Sequence, residues 1–161
     1  MRPLYEANHN RIAQLNIMLK LLEMKGRGWR VIMSERLRCW DAILQSLEQR
    51  RWYEVKVRHR DWNGEHPPIL IDGYMISQRK VDWLIKAAGT DPWGLIVDCP
   101  DGVYAMTRWR LPDDVCVRKS GRRDRNDPYD WEWCYYIPAR YFTRLTDSVT
   151  HAKKSADMFS E

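Results

Sequence analysis

An aspartate and a Glu-Val-Lys triplet are the residues whose types and spacing suit metal-assisted chemistry. Asp41 opens the run Asp41-Ala-Ile-Leu, and Glu54, Val55 and Lys56 lie in the alternating segment 51–58. Glu54 and Lys56 share a face because strand side chains alternate, and a hairpin can bring Asp41 beside Glu54. Two adjacent carboxylates repel each other, and a hard divalent cation such as Mg²⁺ or Mn²⁺ removes that repulsion. With Lys56 nearby, these groups could activate water and stabilise negative charge during phosphodiester hydrolysis.

The triplet alone is a weak signal, because 22 acidic residues and 8 lysines in 161 positions give about one acidic-x-Lys by chance. The chain also contains Glu23-Met-Lys25, which falls at the end of a predicted helix, where the two side chains point apart. Glu54-Val55-Lys56 lies inside an alternating strand, 13 positions after Asp41. The alternative is that Glu54 and Lys56 form the solvent face of an amphipathic strand.

Periodicity predicts a mixed α/β fold in which helices pack on a sheet. The first helix, over 4–24, is predicted to turn one apolar stripe inward, which comprises Leu4, Asn8, Ile12, Leu15, Leu19 and Leu22. A second helix is predicted from the cap Ser77 to Gly89. Strands are predicted over 29–33, 40–45, 51–58, 69–71, 94–99, 103–108 and 133–137, with a hairpin turn at Pro100-Asp101-Gly102.

This order of elements, with its motifs, resembles the PD-(D/E)xK nuclease superfamily over roughly residues 4–110. The motifs are Trp40-Asp41-Ala-Ile-Leu, Tyr-Glu54-Val55-Lys56-Val-Arg and Ile-Ser-Gln-Arg-Lys80. The resemblance implies a restriction-endonuclease-like fold, a mixed β-sheet flanked by helices. It also implies that Asp41 and Glu54 ligate Mg²⁺ (or Mn²⁺), that the carbonyl of Val55 completes the metal site, and that Lys56 is the catalytic lysine.

The sequence departs from the family pattern at two places. Trp40 stands where the family name has proline. The first helix of the family often adds a glutamate to the site, but Glu6 points away from the predicted inward face of the helix, whereas Asn8 lies on it. The fourth position of the site therefore stays open between these residues.

Basic residues outside the predicted site are candidates for contacts with DNA phosphates. The chain has 27 Lys and Arg against 22 Asp and Glu, for a net charge of +5. The candidates are Arg58, Arg79 and Lys80 near the site, and Arg118, Lys119, Arg122, Arg123 and Arg125 in a predicted basic loop over 118–130. An equally weighted alternative is that this loop is a solvated run of charges with no binding role. Trp62 is the predicted residue for stacking on an unpaired base.

Length and composition predict one intracellular domain. Residues 1–145 are predicted to form the nuclease-like domain and 146–161 a C-terminal tail. No apolar run reaches the ~20 residues of a membrane span, and the N-terminus lacks a signal-peptide pattern, so a cytoplasmic location is expected. The cysteines lack metal-binding spacing and are predicted to be reduced; they are Cys39, Cys99, Cys116 and Cys134.

The sequence thus predicts a metal-dependent DNA endonuclease guided by DNA structure, of a junction-resolving or nicking type. DNA is the predicted partner, and a homodimer would place two sites on two strands. One alternative is a catalytically silent nucleic-acid-binding or inhibitor protein on the same fold. Another is a structural domain whose positive charge is incidental. A metal requirement for cleavage separates the enzyme from the first alternative, and salt-dependent DNA binding excludes the second.

Overall fold

A computed structural model describes residues 4–35, 39–70, 73–120 and 131–151, and this part of the protein forms two β-sheets and two long helices. The helices are α1 (Leu4–Lys25) and α2 (Gln78–Ala88), and a short 3-10 helix spans Ala139–Tyr141. The strands are β1 (Arg30–Met33), β2 (Ala42–Gln45), β3 (Arg50–Val57), β4 (Ile69–Leu70), β5 (Gly73–Ser77), β6 (Trp93–Cys99), β7 (Gly102–Arg108), β8 (Cys116–Ser120), β9 (Glu132–Ile137) and β10 (Thr143–Thr146). No described helix is long and apolar enough to cross a membrane.

The larger sheet has the strand order β1-β2-β3-β6-β7-β10. Strands β3 and β6 are parallel, and all other neighbours in this sheet are antiparallel. A parallel pair needs a crossover connection, which here runs through β4, β5 and α2. The predicted mixed α/β fold with helices on the sheet is therefore confirmed, and the C-terminal ends of β3 and β6 lie at the same edge.

Strand β6 is one of the two central strands of the larger sheet and is buried along its whole length. Gly94 allows this close packing, since a Cβ atom there would lie 2.1 Å from the carbonyl oxygen of Met106 on β7. The hairpin predicted at Pro100-Asp101-Gly102 is confirmed. It joins β6 to β7, and Gly102 has a φ of +145°, which non-glycine residues rarely adopt.

Helix α1 has the predicted extent, but the predicted inward face is wrong for Ile12, Leu15 and Leu19, whereas Leu22 packs partly buried against the core as predicted. Ile17, Met18 and Leu21 are buried against the larger sheet. Ile12 and Leu19 are instead 59% and 47% exposed, and Leu15 is 37% exposed. The reason is that α1 carries apolar residues on more than one side, so the spacing alone does not tell which side the sheet covers.

Helix α2 lies on the other face of the larger sheet and also packs against the second sheet, whose order is β4-β5-β9-β8. Val81 and Leu84 of α2 are buried with Leu95 of β6 and Ile137 of β9. The second sheet was not predicted as a separate sheet. Residues 118–120 of the predicted basic loop belong to β8, and residues 121–130 lie outside the described part of the chain.

Trp62 belongs to the core, which contradicts its predicted role in base stacking. Its side chain is only 4% exposed and stacks on Tyr104, with ring centroids 4.7 Å apart and an interplanar angle of 12°. The backbone N–H of Trp62 donates to Asp101 at 2.8 Å. A tryptophan buried between other aromatic rings has no face left for a nucleobase.

Part of the predicted tail is folded onto the domain. Asp98, at 0% exposure, accepts hydrogen bonds from the Ser148 hydroxyl at 2.8 Å and from the Thr150 N–H at 2.7 Å. The N–H of Val149 donates to the same carboxylate at 3.3 Å. We call this arrangement of Asp98 with 148–150 the C-terminal clasp; the residues after His151 lie outside the described part. All four cysteines are free thiols, as predicted.

Candidate active site

The pairing of β2 with β3 places Asp41 level with Glu54. Ala42 of β2 is opposite Tyr53 of β3. The N–H of Asp41, the residue before Ala42, donates to the Tyr53 carbonyl at 2.9 Å. The Asp41 Oδ2 accepts a hydrogen bond from the Val55 N–H at 2.8 Å. Continuing the register by one residue places Asp41 opposite Glu54, and the charge of Glu54 acts on the Asp41 carboxyl group. The sheet therefore holds two acidic side chains side by side.

This proximity changes the acidity of Asp41. Burial, followed by the charge of Glu54, raises the pKa of Asp41 to about 7. The hydrogen bond from the Val55 N–H acts in the opposite direction but does not cancel these effects. Near neutral pH the acidic pair consequently needs a proton or a cation to limit its charge.

Two lysines from different elements approach Glu54, which is 8% exposed. The Nζ atom of Lys56 lies 3.1 Å from Glu54 Oε1, and the Nζ atom of Lys80 lies 3.9 Å from the same oxygen. Burial alone would lower the pKa of Lys56, but the Glu54 charge and a hydrogen bond with Lys80 raise it. Burial and the charge of Lys56 lower the pKa of Lys80. The amino groups of both lysines therefore lie within 3.9 Å of one carboxylate oxygen.

The position of Lys80 beside Glu54 was not predicted, because the sequence indicated a DNA contact at the start of the second helix. Lys80 is the third residue of α2, which follows β5 directly. Ser77 precedes the helix as predicted, although its hydroxyl donates to Glu132 at 2.9 Å instead of capping the helix. Only the crossover between β3 and β6 brings this helix start to Glu54, and spacing does not reveal that crossover.

Helix α1 contributes Gln14, which the sequence did not single out. The Gln14 Nε2 donates to the Val55 carbonyl at 3.1 Å. Gln14 precedes the buried Ile17 by about one turn, so it lies on the inward side of the helix. The side chains of Glu6 and Asn8, the two predicted candidates, lie outside the described part.

The oxygen atoms of this site fit a hard divalent cation. Asp41 and Glu54 offer carboxylate oxygens, and the Val55 carbonyl has a second lone pair besides the one used by Gln14. Burial and then the charge of Glu54 raise the pKa of Asp41, and a cation between the two carboxylates would offset the second of these effects. Among the described residues no three His, Cys, Asp or Glu side chains form a metal-binding group. A cation with two carboxylate ligands suits Mg²⁺, which usually keeps several waters.

The structure separates the residues predicted to contact nucleic acid into three groups. Arg58 follows β3, and its guanidinium carbon lies 5.8 Å from the ring centroid of Tyr74. Lys80 belongs to the same group, since its Nζ lies 3.9 Å from Glu54 Oε1 and both residues lie near the end of β3. Arg79 is exposed on α2 and lies over the ring of Trp83. The others are Arg118 and Lys119, exposed on β8, and Arg122, Arg123 and Arg125, which fall outside the described residues.

The fold is similar to that of an archaeal protein of known structure. The archaeal protein is Hjc of Archaeoglobus fulgidus, a Holliday junction resolvase from an archaeal hyperthermophile. The TM-score is 0.52 at 13% sequence identity, and the similarity covers 84% of this chain and 92% of that chain. No family model and no curated protein matches the sequence. The similarity confirms the predicted fold class, a mixed central sheet flanked by helices.

Proposed function

We propose that the protein is a metal-dependent nuclease that hydrolyses phosphodiester bonds in DNA. The observation that carries the proposal is the cluster of Asp41, Glu54 and Lys56 where β2 and β3 pair in the larger sheet, with Lys56 Nζ 3.1 Å from Glu54 Oε1. The alternative, that these charges form the solvent face of an amphipathic strand, does not explain why Glu54 is buried and why the Asp41 carboxylate accepts a backbone hydrogen bond. The similarity in fold to a junction resolvase supports the same class of reaction.

Each residue has a distinct role in the proposed reaction. Asp41, Glu54 and the Val55 carbonyl would hold Mg²⁺ or Mn²⁺, which supplies positive charge to the phosphate and lowers the pKa of bound water. Lys56 can orient the attacking water and stabilise negative charge on the phosphoryl oxygens. Gln14 fixes the Val55 carbonyl through its hydrogen bond. Lys80 approaches the cluster from α2 and offers a second ammonium to the same phosphate.

We infer that the substrate is DNA recognised by shape, such as a four-way junction or a nicked duplex. Two features support this inference: the basic residues near the cluster, and the junction resolvase among proteins of similar fold. A homodimer would present two clusters to two strands. The exposed stripe of Ile12, Leu15 and Leu19 on α1 offers an apolar surface to a second copy. Sedimentation of the purified protein tests the dimer, and cell fractionation tests the expected cytoplasmic location.

Cleavage assays decide between this enzyme and a catalytically silent DNA-binding protein. Four-way junction, nicked, linear and single-stranded DNA are incubated with the protein in Mg²⁺, Mn²⁺ or EDTA. We expect metal-dependent cleavage that Glu54→Gln and Lys56→Ala abolish, while DNA binding persists. Asp113→Asn, which changes an exposed aspartate, is the matched control and should cleave normally. Binding without cleavage by the wild-type protein in either metal would favour the silent alternative.

A further inference from the structure

An open cleft of about 650 Å³ lies beside the acidic pair, where the end of β3 meets α1, β5 and the C-terminal clasp. Its basic lining consists of Lys56, Arg58 and Arg60, together with His59. None of the described residues that line this cleft is an aspartate or a glutamate. The cleft is thus a concave, positively charged surface that suits an anionic ligand.

Two buried hydroxyl groups belong to residues that line this cleft. The Tyr74 hydroxyl and the Thr150 Oγ1 are buried and have no hydrogen-bond partner among the described residues. Tyr74 is 1% exposed, and Arg58 is its main charged neighbour. The backbone of Thr150 is held by Asp98, so its side chain has a defined position. Buried polar groups without partners are costly and uncommon, so each hydroxyl points to a ligand or an ordered water that completes it.

We propose that this cleft is a phosphate subsite that binds a second phosphate of the strand being cut, next to the phosphate at Glu54 and Lys56. The proposal rests on the proposed function. Arg58 lies two residues after Lys56 along the chain, about 7 Å at the rise of a β-strand, so the two cations can serve different phosphates. A phosphate oxygen accepts hydrogen bonds from a guanidinium and from hydroxyl groups. Arg58 and Arg60 line the cleft, and the two buried hydroxyl groups belong to residues of its wall.

Two variants remove the hydroxyl groups with little other change to either side chain. They are Tyr74→Phe and Thr150→Val, which keep the ring and the branched side chain for packing. Tyr104→Phe is the matched control, since it removes a buried hydroxyl that bonds to Asp101 at 3.2 Å and does not line the cleft. All variants are compared in EDTA, so that no metal contributes to phosphate binding.

The first experiment measures thermal unfolding with inorganic phosphate, against chloride at equal ionic strength. We expect phosphate to raise the Tm of the wild-type protein and of Tyr104→Phe. In the double variant that combines Tyr74→Phe with Thr150→Val, we expect phosphate to bind about ten-fold more weakly than in the wild-type protein. Equal stabilisation of the wild-type protein and the double variant by phosphate would overturn the proposal. The absence of any stabilisation would overturn it as well, because the cleft would then hold only water.

The second experiment uses short single strands that carry either a 5′-phosphate or a 5′-hydroxyl. If the double variant binds both strands more weakly, the cleft is a subsite for an internal phosphodiester. If it loses affinity only for the 5′-phosphorylated strand, the cleft is a subsite for a terminal phosphate. Unchanged binding of both strands overturns the subsite. Cleavage by the wild-type protein in Mg²⁺ is measured in parallel, with Glu54→Gln as a variant outside the cleft lining. Phosphate binding without any wild-type cleavage would refute the nuclease and leave an anion site.

Discussion

Substitution of Asp41 by asparagine separates the stability of the domain from its proposed activity. Asparagine keeps an oxygen that can accept the Val55 N–H, now found 2.8 Å from Asp41 Oδ2. It removes the charge that faces Glu54 and thereby the repulsion between the two carboxylates. We therefore expect Asp41→Asn to be inactive as a nuclease but more stable than the wild-type protein at alkaline pH.

The size of this effect follows from the pKa of Asp41, which rises from its ordinary value of 3.8 to about 7. Between these values the folded protein holds a proton that the unfolded chain has lost. The contribution of Asp41 to stability is therefore complete below pH 3.8 and is lost as the pH rises through 7. From pH 5 to pH 8 the loss spans about two pH units at ~1.4 kcal/mol each, or roughly 3 kcal/mol.

Urea unfolding monitored by tryptophan fluorescence in EDTA, from pH 5 to pH 8, measures this difference. The free energy of unfolding should fall with pH for the wild-type protein and for Asp113→Asn, but much less for Asp41→Asn. Mg²⁺ at pH 8 should stabilise the wild-type protein and not Asp41→Asn, because ligands stabilise the state that binds them. Parallel pH profiles for the wild-type protein and Asp41→Asn would refute the electrostatic argument.

Three further substitutions test other contacts. Lys80→Ala should slow single-turnover cleavage about 100-fold, whereas Lys80→Arg should retain most of the rate; equal rates for all three proteins would remove Lys80 from the site. Trp62→Ala should lower the free energy of unfolding by about 3–5 kcal/mol in urea, while Trp109→Ala, at 64% exposure, should change it by less than about 0.5 kcal/mol. Asp98→Ala leaves one hydroxyl and two N–H groups without their partner, so we expect a loss of at least about 3 kcal/mol and faster proteolysis near Ser148.

The sequence was most informative where a local pattern and the strand period agree. Alternation in β3 correctly separates Tyr53 and Val55, which pack in the core beneath α1, from Glu54 and Lys56 on the other face. The hairpin between β2 and β3 then fixes the register and brings Asp41 level with Glu54. The juxtaposition of these residues could therefore be expected from the sequence, whereas their roles in a reaction remain predictions.

Features that depend on distant parts of the chain could not be predicted in the same way. Strand β8 is polar and exposed, so its sequence gives no alternation, and it forms because it pairs with β9. Trp62 lies in a polar loop, yet Tyr104 and Phe142 from other elements enclose it. The inward face of α1 depends on the sheet beneath it. Each of these outcomes is decided by tertiary packing, which local periodicity does not contain.

The C-terminal clasp determines when, during synthesis, the cleft beside the acidic pair can be completed. Strand β6 and Asp98 leave the ribosome long before Ser148 and Thr150, the residues that complete the carboxylate's hydrogen bonds. Thr150 also lines the cleft, so the wall beside the acidic pair is completed only after the strands of the larger sheet have been synthesised. A nascent chain that has not yet reached Thr150 would thus carry Asp41 and Glu54 without this wall.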